Sequence, residues 1–300
     1  MPHTHRRRPA KKALVASKRF SAEDLELLHD TPPWDWPRDA AKVFQEILSD
    51  KQAGERSRIL AADLAGDFTV MNDSMADTLM SILKAGDEPA ELRATVAISF
   101  GAALEAADIH GVDDPEMSRI SEAHFEQIKI LLHSLFDDER NPKLFRRRCL
   151  EASVRASANW HQDAIAKVHA SGDKEWLLTA VFCMKYVQGF DNQILEALKN
   201  TDPEIQYEAV KAAGIWEMAA AWPSVFALVQ DPKTPKDLLI AAIHSVAEIR
   251  PGDASENLHH LTSSEDVEIA EEAEDAILEA MAGDDFVDED DLDEGDEWIN

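Results

Sequence analysis

One periodicity decides what this chain is able to fold into: a set of small and apolar residues at fixed offsets, returning about every 31 residues. From Phe145, the offsets +4, +7, +8 and +11 fall on Cys149, Ala152, Ser153 and Ala156. From Trp176 they fall on Ala180, Cys183, Met184 and Val187, and from Ile205 on Ala209, Ala212, Ala213 and Trp216. Leu238 leads to Ala242, Ser245, Val246 and Ile249, and Ile269 to Ala273, Ala276, Ile277 and Ala280. The anchors are 31, 29, 33 and 31 residues apart. Looser copies start at Leu92 (Val96, Ser99, Phe100, Ala103) and at Ser57 (Ala61, Leu64, Ala65, Phe68).

These offsets place all the named side chains on one face of a helix. The small residues at +4 and +7 let a neighbouring helix come close, and the larger ones fill the groove beside it. One amphipathic helix of this length is marginal by itself. Each must therefore bury its face against a partner in its own repeat and against the next repeat. Helical spacing predicts the partners ahead of the anchors, over Ala40–Ser49, Ser74–Lys84, Glu122–Phe136, Asp163–Ala170, Asp191–Lys199, Ser224–Gln230 and Ala254–Leu261. Asn141-Pro142, Asp202-Pro203 and Thr234-Pro235 read as a capping side chain followed by proline at the first helical position. These sites are 61 and 32 residues apart, in phase with the anchors. Glycine is scarce, at 11 residues, and β-branched or aromatic strand runs are missing, which excludes a β-rich fold. The expected class is all-α: an α-α superhelix, or solenoid, of about seven stacked helix pairs.

The run DPEIQYEAVKAAGIWEM, residues 202–218, resembles the second helix of a HEAT repeat. The resemblance covers roughly residues 38–281. It implies paired helices wound into a right-handed superhelix, with the second helices lining the concave side. The spacing from Leu92 to Phe145 swells to 53 residues, and a loop at Asp108–Glu116 or a longer first helix is expected there. The aspartate and arginine of the family's inter-helix turn are not cleanly repeated.

Charge divides the chain into three parts. Residues 1–20 hold Arg6, Arg7, Arg8, Lys11, Lys12, Lys18 and Arg19 with no acid, a sum of +7. The last 50 residues hold 20 acids and no lysine or arginine, and the stretch between carries −16. A disordered basic arm (1–20), a HEAT-like α-solenoid (21–282) and a disordered acidic tail (283–300) are expected, because such charge density does not repay chain entropy by burial. The arm's apolar run, Ala13–Ala16, is too short for a secretory signal. A transit peptide and a solvated arm on a cytoplasmic protein are the two readings of it. The two cysteines, Cys149 and Cys183, exclude a disulfide framework and agree with a reducing compartment. No segment approaches the roughly 18 uninterrupted apolar residues of a membrane span.

The motifs of known chemistry are missing from the sequence: there is no HExxH, GxGxxG, Walker A or GxSxG. Deoxyhypusine hydroxylases, enzymes of the same repeat type, bind two irons through His-Glu dipeptides, and this chain has none. His259-His260 and the pair His124 and His133 lack ligand spacing. The tail's Gly295 is out of phase for a calcium loop. Cys149 and Cys183 sit at the small-residue offsets as core residues. The sequence is thus read as a non-enzyme, with no catalytic, metal or cofactor-binding residues. It is a protein–protein interaction scaffold for basic or neutral protein partners. The alternatives are a lyase-like enzyme with a concave-face site, and weak nucleic-acid association through residues 1–20.

Three features are candidates for partner binding. Arg146, Arg147 and Arg148 open a second helix, with Arg155 two turns on. Arg147 and Arg155 are expected to point toward the inner curve, where they would grip a carboxylate or phosphate bidentately unless Asp137, Asp138, Glu139 and Glu151 neutralise them. Trp34 and Trp36, within Pro-Pro-Trp-Asp-Trp-Pro, are a docking site or, more simply, an end cap of the stack. The tail carries Phe286, Val287, Leu292, Trp298 and Ile299 among its acids, and reads equally as a docking motif and as a solubility tail.

Overall fold

The computed structural model describes residues 22–67, 69–112 and 119–284. Among these residues every regular element is helical. They divide between Ala158 and Asn159 into two compact units. The basic arm, the acidic tail beyond Asp284 with Trp298, and Phe68 lie outside the described residues.

The first unit contains α1 (Ala22–His29), α2 (Ala40–Ser49), α3 (Glu55–Ala65), α4 (Asp73–Lys84), α5 (Ala90–Ile98), α6 (Gly101–His110), α7 (Glu122–Asp137) and α8 (Lys143–Ser153). Three helix pairs result: α2/α3, α4/α5 and α7/α8. Second helices stack on second helices, α3 on α5 and α5 on α8. First helices do the same, α2 on α4 and α4 on α7. The second unit contains α9 (His161–His169), α10 (Lys174–Cys183), α11 (Asp191–Ala197), α12 (Pro203–Ile215), α13 (Trp222–Gln230), α14 (Lys236–Ile249), α15 (Ala254–Leu258) and α16 (Val267–Asp284). Its pairs are α9/α10, α11/α12, α13/α14 and α15/α16, with the second helices packed in the order α10, α12, α14, α16. Within each unit this is the α-solenoid arrangement. The swollen spacing after Leu92 is taken up by the extra helix α6, which contains Asp108, and by the 16-residue α7.

The repeat offsets are the core. Leu92, Phe145, Ile205 and Leu238 are buried, as are Ala61, Val96, Cys149, Ala180, Ala209, Ala242 and Ala273 at +4. Burying a side chain the size of Phe145 contributes about 2 kcal/mol. The small residues do more than leave space. The Ser99 hydroxyl donates to the Ala62 carbonyl at 2.7 Å, joining the end of α5 to α3, and Ser245 of α14 donates to Val210 O of α12 at 2.9 Å. Both serines stand at +7. The Trp216 indole, at +11, donates to Met184 O at 2.7 Å.

Glycine recurs at +9, a signal absent from the sequence reading. Gly66, Gly101 and Gly214 all occupy it. At Gly214 an added Cβ would collide with the Glu248 carboxylate and lie 2.6 Å from Ser245 Oγ and 2.9 Å from Ser245 Cα. Lys185 holds the same offset after Trp176. It is buried, pairs with Glu208 at 2.6 Å and lies 4.0 Å from the Phe182 ring centroid.

A second periodic group sits at +1. The last carbonyls of a helix have no intrahelical donor. Arg58 donates to Leu48 O at 3.0 Å, Arg93 to Leu83 O at 2.9 Å and Arg146 to Phe136 O at 2.7 Å. Each reaches ten residues back to the first helix of its own pair. Gln206 reaches eight residues back to Leu198 O, just past the end of α11, at 3.0 Å. Two of the expected caps take this task as well. Asn141 donates to Leu135 O at 2.9 Å and Thr234 to Leu228 O at 2.8 Å. They do not cap α8 and α14, whose N-cap residues are Pro142 and Pro235. Asp202 alone of the three caps as expected, accepting from Glu204 N at 3.0 Å. The Thr and Asn side chains point backward because the open carbonyls of the preceding helix are the nearest unsatisfied partners.

Two stability predictions follow from these contacts. Gly214→Ala costs about 1–3 kcal/mol in chemical denaturation, against the helix propensity gain, because the Ser245 backbone stands in the way. Gly86→Ala, where an added Cβ meets nothing within 4 Å, stays within about 0.5 kcal/mol of wild type. Arg58 also holds Glu88 in two hydrogen bonds of 2.6 and 2.9 Å, with both side chains buried. Arg58→Met therefore costs about 3 kcal/mol by leaving the buried Glu88 carboxylate with only Lys51, 3.9 Å away, as a counter-charge, and Arg58→Met/Glu88→Gln together lose less than the single change.

Candidate binding groove

The arginines at the start of α8 are engaged inside the protein. Arg146 reaches back to Phe136 O, and its guanidinium carbon lies 5.6 Å from the Phe136 ring centroid. Arg147 is 7% exposed and Glu151 2% exposed, and they approach to 4.0 Å. Arg148 also pairs with Glu151. Arg155 pairs with Glu105 of α6 at 2.9 Å. The expectation that Arg147 stands out toward an inner curve is corrected, because Glu151, one turn on, draws it into a buried ion pair. The tryptophans separate. Trp36 is 7% exposed, donates to Leu28 O and Thr31 O at 3.0 and 2.7 Å and sits edge-on to Phe44. Trp34 is 76% exposed.

Arg147, Glu151 and Arg155 stand at +2, +6 and +10 from Phe145. The same offsets on the other second helices mark one stripe beside the core face. In the second unit they give Leu178, Phe182 and Tyr186 with α10, then Tyr207, Lys211 and Ile215 on α12. They continue as Ile240, His244 and Glu248 on α14 and Glu271, Asp275 and Glu279 on α16. Because these helices stack in that order, the stripes lie side by side. The face runs from aromatic and apolar at α10, through mixed polarity, to wholly acidic at α16. In the sequence only Arg147 and Arg155, after Phe145, were expected to leave the core stripe. Applied to every repeat, the offsets mark the groove.

A pocket of about 300 Å³ opens between α12 and α14 on this face. Tyr207, Lys211, Ile215, Ile240, His244, Ser245 and Glu248 line it. Lys211 Nζ lies 5.5 Å from the Tyr207 ring centroid. His244 Nε2 is 2.7 Å from Glu272 Oε2 of α16. Glu248 is exposed as a residue, but its carboxyl group lies down against the Gly214 backbone. That burial pushes its pKa up. His244 and Lys211 pull it down, while Glu279 and Glu217 add to the rise. Glu217 ends α12 with φ 47°, the left-handed position that glycine usually fills.

The cysteines carry no comparable chemistry. Both are buried free thiols, and burial holds Cys149 far above its ordinary range despite Arg93 and Arg146 nearby. Among the described residues no three His, Cys, Asp or Glu side chains converge as metal ligands. Among them, too, no helix is long and apolar enough to cross a membrane.

Within each unit the paired, stacked helices define an α-solenoid. No family model matches the chain, and no curated protein does. Solved structures do. Human deoxyhypusine hydroxylase, solved in complex with glycerol, is similar at 12% identity and a TM-score of 0.35, over 81% of this chain and 96% of that one. The Escherichia coli protein YibA is similar at 17% identity and a TM-score of 0.43, over 87% of this chain and 93% of that one. The first is by name an enzyme, and the reading of this chain as a non-enzyme is not supported.

The raised carboxyl gives a pH prediction. Folded Glu248 keeps its proton above about 4.5, where the unfolded chain releases it. Stability is therefore lost as pH rises from that value through the folded pKa. Glu248→Gln removes this loss, so urea denaturation shows the variant gaining on wild type as pH rises above about 4.5. A constant difference would mean that the carboxyl is solvated.

Proposed function

We propose that the protein is an interaction scaffold that receives a basic segment of a protein partner on the second-helix face of its second unit. The observation that carries this reading is the stripe at +2, +6 and +10, which sets the rings of Phe182 and Tyr186 at one side and Glu271, Asp275 and Glu279 at the other. Phe182 and Tyr186 lie 5.7 Å apart and are half-buried, so a partner gains apolar contact there at little ordering cost. The α16 acids are exposed and draw a cationic segment in from a distance. Trp34, exposed in the first unit, is a further contact for the same class of partner. A body of charge −16 between residues 21 and 250 disfavours nucleic acid on the same grounds.

The test is affinity capture with the full chain and with Glu271→Lys/Asp275→Lys/Glu279→Lys. The substituted residues are exposed, so helicity and melting should stay close to wild type. Proteins held by the wild type but released by the triple variant, and by raising salt, support the reading. Identical recovery by both chains removes it.

A further inference from the structure

The pocket between α12 and α14 narrows the partner's chemistry, on the reading above. We propose that it seats a single basic side chain of the partner, with the cationic head on Glu248 and the aliphatic stem between Ile215 and Ile240. At about 300 Å³ the cavity is at the lower end of ligand pockets, the size for one side chain rather than a large ligand. Its apolar walls come from both helices, Ile215 from α12 and Ile240 from α14. Its acid, Glu248, lies against Gly214, where the lack of a side chain leaves room for the carboxyl group.

The charge around the pocket selects the sign of the head group. The groups that bear on Glu248 are Lys211 of α12, Glu217 at its end, His244 of α14 and Glu279 of α16. His244 is already engaged by Glu272 at 2.7 Å. Lys211 lies over the Tyr207 ring at 5.5 Å and is the one lysine or arginine of the lining. Three carboxyl groups, Glu248, Glu217 and Glu279, thus face one lysine and a histidine that Glu272 already engages. An incoming anion meets net repulsion. An incoming cation returns to Glu248 the counter-charge that desolvation withholds, and it binds best above the folded pKa of that carboxyl, where no proton need leave. Lys211 competes with it.

That competition makes the proposal easy to overturn. The full chain is titrated with Nα-acetyl-arginine amide and, separately, with the citrulline analogue, which keeps the shape and loses the charge. Resonances of α12 and α14 are followed by NMR. The arginine probe saturates with a Kd of about 1 mM, the scale for a ligand of its size. The citrulline probe binds about 10-fold more weakly, and Glu248→Gln loses a similar factor for arginine. Lys211→Gln tightens arginine binding about 2- to 5-fold, the range of a partly exposed charge pair. Equal binding of the two probes, an unchanged Kd in Glu248→Gln, or weaker binding in Lys211→Gln each overturns the proposal. So does the lack of any saturable shift. If partner capture still depends on the α16 acids in that event, the pocket assignment alone has failed and the scaffold reading stands.

Discussion

Everything in this molecule depends on how closely one second helix approaches the next. The contact is made by residues with almost no side chain, and the distance is set by backbone. Ser99 and Ser245 show it most directly, since each hydroxyl reaches a main-chain carbonyl of the neighbouring repeat. Gly214 lies so near Ser245 that a methyl group has nowhere to go. Such an interface is steep in energy, because packed interiors resist even one added methylene. It is also local. Each helix pair leans on its neighbours, and stability sums over those contacts.

A stack built this way leaves open carbonyls at the ends of its first helices, and in four pairs the second helix supplies the donor. Arg58, Arg93, Arg146 and Gln206 answer them from the same offset. Three arginines in the first unit and a glutamine in the second are chemically different answers. The charged ones need company. Arg58 is held by Glu88, whose carboxyl is kept below the usual range chiefly by that hydrogen bond. Arg93 lies 4.1 Å from the Phe145 ring centroid, and burial lowers its pKa. The neutral Gln206 makes the same bond without a counter-ion, so charge is not what the position requires. The requirement is a donor long enough to reach back over the turn.

The core was legible in the sequence because burial has a period. The offsets from Phe145, Ile205 and Leu238 named the buried face, and the partner helix at Ala40–Ser49 falls where the spacing put it. What a period does not tell is what stands opposite. Asn141 and Thr234 have the composition of N-caps, yet in the fold the open carbonyls of α7 and α13 are their acceptors. Arg147 sits on the outward stripe by spacing, but Glu151 on the same stripe turns it inward. The glycines at +9 and the donors at +1 were readable as repeats. Glycine and arginine are not core residues, so apolar periodicity does not mark them. The pocket was less legible, since it needs Tyr207 and Lys211 of one repeat and His244 and Glu248 of the next to be read together.

The groove stripe differs from the core stripe in the freedom it allows. At +4 and +7 nearly every repeat must present something small, or the neighbours separate. At +2, +6 and +10 no such rule applies, and the residues go from Phe182 and Tyr186 to Asp275 and Glu279 across four helices. The two kinds of acid on this face then act differently. Those on α16 are solvated, so their field extends outward and is screened by salt. Glu248 is laid against backbone by the close packing of α12 on α14, so its field is confined and its pKa is pushed up. A far-reaching field and a confined one thus come from acids on one surface. The difference between them is made by the small-residue contact that holds the helices together.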